Sequence, residues 1–289
     1  EGRLGVGFLE NFMADDDPVF AQALRLKPKA IMLAFGAMDR LAAVKEAGVK
    51  AVVQVFSVPE LQAAARKGAD VLVLQGCDAG GHGRQSLGVS LMTLVPTARR
   101  WLNSNGFAGI PLVAAGGIMD GKGLAAALAL GADGVALGTR FVTTHQSGAP
   151  EAFKQRVLAV EDGTTETVST STWDHLTPMG TPFNAGGYCG RALADSEALR
   201  RFGRRSAEDG AGITPEDAAW YKAAGYDTRA VWCGAGSGLV GPKDTDDAVE
   251  VVAEVVREAA ECLRAPRHYE MVEREGEGRD DRRSMARSG

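Results

Sequence analysis

The residues best suited to chemistry lie in Val71 to Gly83, VLVLQGCDAGGHG. An apolar run ends in Gln75, passes Cys77 and Asp78, and delivers His82 among glycines. Imidazole is the side chain that exchanges protons near physiological pH, so His82 is a candidate base. Gly80, Gly81 and Gly83 leave it little steric cover and let something large approach, so it reads as pointing over an open mouth. A lone histidine is more often solvated, capping or buried. Its position at the carboxyl end of a strand, where barrels of alternating strands and helices place their chemistry, favours the catalytic reading.

Two further stretches suit an anion. Ala114 to Lys122, AAGGIMDGK, follows one strand and opens a helix. Gly116 and Gly117 would present backbone N–H groups beside the positive end of that helix. Gly138 and Thr139 end the next strand, and the last two strands of such barrels often share a phosphate site. Either pair alone could be only a tight turn; together, at the same end of successive strands, they favour phosphate binding. Gln54 and Gln75 sit in or at the end of apolar strands, where an amide must find a partner. For Gln54 a contact to a heterocycle and a bond to a loop weigh equally; for Gln75 a loop partner is favoured.

Other candidates are weaker. Cys77, Cys189, Cys233 and Cys262 are widely spaced and form no CxxC pair, so neither a zinc site nor a disulfide framework is suggested. Cys77 reads as a small apolar filler and Asp78 as a loop organiser. His145, His175 and His268 read as structural or solvated. Gly234 to Gly241, GAGSGLVG, lacks the βαβ context of a dinucleotide fingerprint and reads as a loop returning to the mouth. Asp244, Thr245 and Asp247 read as helix-start signals.

These residues need a scaffold. Leu4–Leu9, Ala30–Gly36, Lys50–Phe56, Val71–Gly76, Ile110–Ala115 and Gly134–Phe141 read as strands, with helical segments between them. The helix before Lys50 stops at Gly48 and the helix of Pro59–Lys67 at Gly68. This alternation predicts parallel strands joined by helical crossovers. The fold class expected is α/β, a TIM (β/α)8-type barrel that is N-terminally incomplete, with about six strands visible and an inserted, mostly helical cap. An open doubly wound sheet is the alternative. The divisions expected are 1–147 for the barrel, 148–243 for the cap, 244–266 for a final barrel helix and 267–289 for a disordered charged tail. In that final helix Ala248, Val252, Val255, Val256, Ala259 and Leu263 are expected to form the buried face.

The 289 residues are 45% hydrophobic with a net charge of −5, so a sizeable core is available and nothing points to nucleic acid or an anionic membrane surface. No apolar run suits a membrane-spanning helix. Cysteine usage suggests a reducing, cytoplasmic setting.

The chain resembles the nitronate monooxygenases, once called 2-nitropropane dioxygenases. The resemblance rests on AIMLAFG, VVQV, VLVLQGCDAGGHG, PLVAAGGIMDGKGLAAALALGADGVALGTRF, TPFNAGGYCGRAL and VWCGAGSGLV. It implies FMN at a barrel mouth. Gly116, Gly117 and Ile118 would bind its phosphate with Gly138 and Thr139; Gln54 and Gly81 count as further cofactor-binding positions. His82 matches the catalytic histidine. The implied reaction is oxidation of alkyl nitronates such as propionate 3-nitronate by dioxygen, with release of nitrite and a carbonyl product. A homodimer is compatible with the resemblance. Members of the family open with two further strands, so the resemblance also implies that the chain is a fragment. The alternatives are a flavin-type enoyl-carrier-protein reductase and an inactive flavin-binding fragment.

Overall fold

A computed structural model describes residues 4–177, 181–204, 212–224, 230–240 and 247–264, except the side chains of Gln85, Thr181 and Pro182. The tail expected at 267–289, with His268, and the helix-start residues Asp244 and Thr245 lie outside them.

Six strands form one wholly parallel sheet: β1 (Gly5–Leu9), β2 (Ala30–Ala34), β3 (Lys50–Val55), β4 (Val71–Gln75), β6 (Leu112–Ala115) and β7 (Gly134–Ala136). They lie side by side in chain order, as in a TIM-type barrel. Among the described residues β1 and β7 are the two edges, and they do not pair. Between the strands run α1 (Pro18–Leu26), α2 (Leu41–Glu46), α3 (Val58–Arg66), α4 (Leu91–Ser104) and α5 (Gly121–Ala129).

Period-two alternation gives each strand a helix-facing side and an inner side. Ile31, Leu33, Val53, Val55, Leu72, Leu74 and Leu112 point outward and are fully buried with Leu41, Val44, Leu61, Val95 and Leu102 from the helices. Each such side chain stabilises the fold by about 1.5–3 kcal/mol. The inner side carries Met32, Gln54, Val73, Gln75 and Ala115, which line a cavity. The apolar strand runs in the sequence are therefore continuous because helices cover one face and the barrel interior takes the other.

The helix boundaries follow local chemistry. Asp17 accepts hydrogen bonds from the N–H groups of Val19 and Phe20 ahead of Pro18, and Ser57 accepts one from Glu60. Gly48 and Gly68, both with positive φ, follow α2 and α3.

Asp70 ties neighbouring elements together. One carboxylate oxygen accepts from the Ala51 N–H at 2.8 Å and the other from Lys45 at 2.7 Å. Burial alone would raise its pKa, but the Ala51 and Lys45 bonds outweigh burial and hold it below the usual value of 3.8. A carboxylate with a lowered folded pKa contributes stability above its unfolded pKa and loses it as pH falls through the folded value. Asp70→Asn is therefore expected to cost about 1–3 kcal/mol near pH 7 in urea unfolding. The gap to wild type should narrow below pH ~4, as wild-type Asp70 takes up its proton; a gap that stays constant with pH would refute this.

The region after β7 contains α6 (Thr139–Val142), α7 (Glu151–Leu158), α8 (Gly163–Glu166), β8 (Thr167–Thr170), α9 (Thr172–Leu176), α10 (Thr181–Ala185), β9 (Cys189–Leu193), α11 (Glu197–Phe202) and α12 (Pro215–Ala223). Helices predominate, but the sequence reading did not anticipate β8 and β9. They pair antiparallel, and β9 also takes up β5 (Gly81–Gly83), so the histidine segment belongs to this small sheet and not to the barrel.

The last helix, α13 (Ala248–Arg264), packs on α5 with a face that shares Val255 and Ala259 with the one expected but is rotated toward Val251. Val251, Val255 and Ala259 are buried, whereas Val252, Val256 and Leu263 are more than half exposed. The cause is a close backbone approach: a Cβ on Gly121 would collide with the Ala259 N and, at 2.6 Å, with the Val255 carbonyl. Glu258 accepts a hydrogen bond from the Gly121 N–H at 2.8 Å, which sets the rotation of the helix. Asp247 accepts from the Val249 N–H at the start of this helix. No helix among the described residues is long and apolar enough to cross a membrane.

Candidate active site at the strand ends

The carboxyl ends of β3, β4, β6 and β7 surround a cavity of about 240 Å³. Gln54, Gly116, Gly117, Ile118, Gly138 and Thr139 all line it. Gly81 and His82 are not among its lining residues; Gly80 is. The two glutamines form a chain across the floor. Gln54 Nε2 donates to Gln75 Oε1 at 2.5 Å, and Gln75 Nε2 donates to the His82 carbonyl at 2.8 Å. Gln75 thus bonds strand β5 where a loop partner was expected, and both glutamines line the cavity.

The glycines divide into two kinds. Gly80, Gly234 and Gly236 permit backbone-to-backbone packing. A Cβ on Gly80 would lie 2.5 Å from the Cys233 carbonyl carbon, one on Gly234 2.7 Å from the Asp78 oxygen, and one on Gly236 2.5 Å from the Gly117 oxygen. The 3-10 turn at Ala235–Leu239 is pinned here: the Ala235 N–H donates to the Asp78 carbonyl, and the Gly234 N–H to the Thr139 hydroxyl, both at 2.9 Å. The loop does return to the mouth. Gly138 is of the other kind: a Cβ there meets open space, and its φ is −110°. Gly117 is intermediate, with φ +67° and the Asp78 Cβ 3.0 Å from an added Cβ.

The helix end expected to attract an anion is already engaged. Asp120 accepts from the Gly123 N–H, and Glu258 from the Gly121 N–H. An anion at the mouth would depend on the two glycine turns instead of the α5 dipole.

His82 sits differently from expectation. It is not uncovered: its side chain is 14% exposed. The ring stacks on Phe183 at 3.7 Å and 9°, and Trp232 lies 4.7 Å from its centroid. Its Nε2 lies 2.7 Å from Asp174 Oδ1. The cover arises because His82 pairs across the sheet with Gly190, whose missing side chain leaves the space filled by Trp232. Glycines flanking a residue in sequence say nothing about what packs on it from another element. Phe183 joins Phe35, Phe56 and Tyr188 in an aromatic cluster between the cap and the ends of β2 and β3. Phe35 holds a φ of +59°. Arg84 stacks on Tyr188 and bonds Glu60 at 2.6 Å, which links this cluster to α3.

The cysteines near the mouth are poor nucleophiles. Burial, then the Asp78 carboxylate, raises the Cys77 thiol. Burial pushes Cys233 up to about 11. Both are thiols at neutral pH. His175 bonds Asn184 at 3.3 Å in the cap. No cluster of metal-binding side chains occurs among the described residues.

Asp174, Phe183 and Trp232 were not identified from sequence as neighbours of His82. Phe183 and Trp232 lie in TPFNAGGYCGRAL and VWCGAGSGLV, stretches already singled out. Asp174, 92 residues beyond His82, gave no signal.

The profile of the nitronate monooxygenase family matches residues 11–174. A nitronate monooxygenase of Metarhizium robertsii is 40% identical over 200 residues, 67% of this chain and 53% of that protein. One from Neurospora crassa is 36% identical over 218 residues, 73% of this chain and 54% of its own length. The chain thus spans about half the length of these relatives. Among solved structures, nitroalkane oxidase from Streptomyces ansochromogenes aligns with a TM-score of 0.67 and 28% identity, covering 88% of this chain and 71% of that one. FabK from Thermotoga maritima aligns with a TM-score of 0.70, covering 90% of this chain and 77% of that one, and at 24% identity it speaks to the fold alone.

Proposed function

The chain belongs to the nitronate monooxygenase family, and from that premise we propose that it oxidises alkyl nitronates, and nitroalkanes through their nitronates, using FMN and dioxygen. The observation that carries this reading is the convergence of Gln54, Gly116, Gly117, Ile118, Gly138 and Thr139 on one cavity at the strand ends.

The residues suit a flavin phosphate. Gly138 leaves open space where a side chain would stand, and Gly116 and Gly117 turn with φ of +122° and +67°, so the backbone can approach a bulky anion. Whole-ligand pockets commonly measure about 300–1,000 Å³. At 240 Å³ the cavity suits the phosphate end and the chain attached to it. The Gly116–Ile118 turn and Gly138–Thr139 would hold the phosphate, with Gln54 offering amide hydrogen bonds further in. Bound FMN would supply the electron acceptor that delivers reducing equivalents to dioxygen.

The protein's own part is proton transfer and shielding. His82 would remove the α-proton of a neutral nitroalkane and anchor a nitronate that is already ionised. Phe183 stacks on the ring and Trp232 packs against it at a tilt, which limits the access of water to it.

The direct test is oxygen uptake and nitrite release by the FMN-reconstituted chain with propionate 3-nitronate. Saturable uptake with matching nitrite is expected. Steady NADH consumption with an enoyl thioester, and none of this oxygen uptake, would replace the reading with the reductase. A protein that gains no flavin absorbance on reconstitution would remove both.

A further inference from the structure

We propose that Asp174 is a positioning residue that fixes the tautomer of His82, so that Nδ1, not Nε2, is the nitrogen that accepts the substrate proton. The role of His82 itself rests on the function proposed above; the Asp174 contact does not.

The geometry is direct. Asp174 Oδ1 lies 2.7 Å from His82 Nε2. A carboxylate has no proton to give, so Nε2 carries the hydrogen and a neutral ring keeps its lone pair on Nδ1. Stacking on Phe183 restrains the ring from turning away, and Trp232 packs against it with centroids 4.7 Å apart. Asp174 is 5% exposed, so the pair is poorly screened by solvent.

A second observation separates this contact from an ordinary structural ion pair. Buried carboxylates normally satisfy both oxygens. Asp174 Oδ2 is buried and finds no hydrogen-bond partner. Among the described residues no donor to the Asp174 carboxylate other than His82 is found. The unused oxygen is an unmet cost that packing does not explain, and such costs concentrate at functional sites. Asp174 also lies on α9, inside the region after the barrel. That region would therefore orient the base carried by β5, in addition to covering it.

The test uses the full chain labelled with ¹⁵N-histidine, with the His82 signals assigned from their loss in His82→Asn. In the wild type, Nε2 should be protonated and Nδ1 bare. Asp174→Asn keeps the shape but can present its amide N–H to Nε2, which moves the ring proton to Nδ1. The kcat for a neutral nitroalkane should then fall by about 10²- to 10⁴-fold with KM and flavin content within about twofold. Asp174→Glu, which restores a carboxylate, should recover the wild-type tautomer and part of kcat. A bare Nε2 in the wild type overturns the proposal without any variant. So does an unchanged tautomer in Asp174→Asn, or a tautomer change with no loss of kcat. A wild-type protein that oxidises no nitro compound refutes the functional reading, while the ¹⁵N spectrum still decides the role of Asp174 in orienting the ring.

Discussion

His82→Asn is expected to retain flavin and to slow oxidation of neutral nitroalkanes by about 10²- to 10⁴-fold, the usual contribution of a positioned general base. Oxidation of a preformed nitronate should fall far less, because the α-proton is already gone. Asparagine is the informative replacement. It removes the base but stays polar; its amide nitrogen falls near the place of Nδ1, short of Asp174, so the buried carboxylate loses its His82 partner. Phe183 and Trp232 also lose the flat ring they pack on, and a loss of stability should accompany the change. Steady-state rates on a nitroalkane and on its nitronate, measured side by side, check this. Equal losses on both substrates would mean that His82 serves in binding or folding and is not the base.

A side chain placed in the glycine turns should cost flavin, and two positions separate the possible reasons. Gly138→Leu is expected to leave the unfolding midpoint nearly unchanged, because its φ of −110° suits any residue and its Cβ would meet open space. If that space is the phosphate seat, flavin retained after gel filtration should drop at least tenfold. Gly117→Val should lose flavin too, but at a cost to the fold of about 1–3 kcal/mol: φ is +67°, and the added Cβ would stand 3.0 Å from that of Asp78. Flavin absorbance per protein, together with thermal unfolding of the flavin-free forms, separates the two effects. Full flavin content in Gly138→Leu would show that the open space at this strand end is not where the cofactor's anion lies.

The two predictions differ in how they depend on long-range structure. The two glycine turns are local: each pair follows its own strand, so its place in the fold comes with the strand. His82 also follows a strand in sequence, but its surroundings are assembled from Asp174, Phe183, Gly190 and Trp232, all from beyond the barrel strands.

The sequence by itself determined the six parallel strands and the helices between them, though the strand expected over 134–141 ends at Ala136 and the chain turns into α6 at Thr139. Apolar runs of strand length, glycine stops at Gly48 and Gly68, and the Asp17–Pro18 start are short-range signals that neighbouring residues settle among themselves. Gln54, Gly116, Gly117, Ile118, Gly138 and Thr139 were legible as neighbours at the mouth for the same reason, since a strand end carries its following turn with it, whereas Gly81, expected with them, does not line the cavity. Tertiary structure alone decided which face of α13 is buried, because the backbone contact with Gly121 overrides an apolar pattern broad enough to allow several faces. It alone drew Gly81–Gly83 out of the barrel into a sheet with β9, since that pairing spans more than 100 residues and leaves no period in either segment. It alone gave His82 its carboxylate and its aromatic walls. A side chain's partners depend on what folds against it, and a histidine among glycines carries no record of an aspartate brought to it from a distant helix.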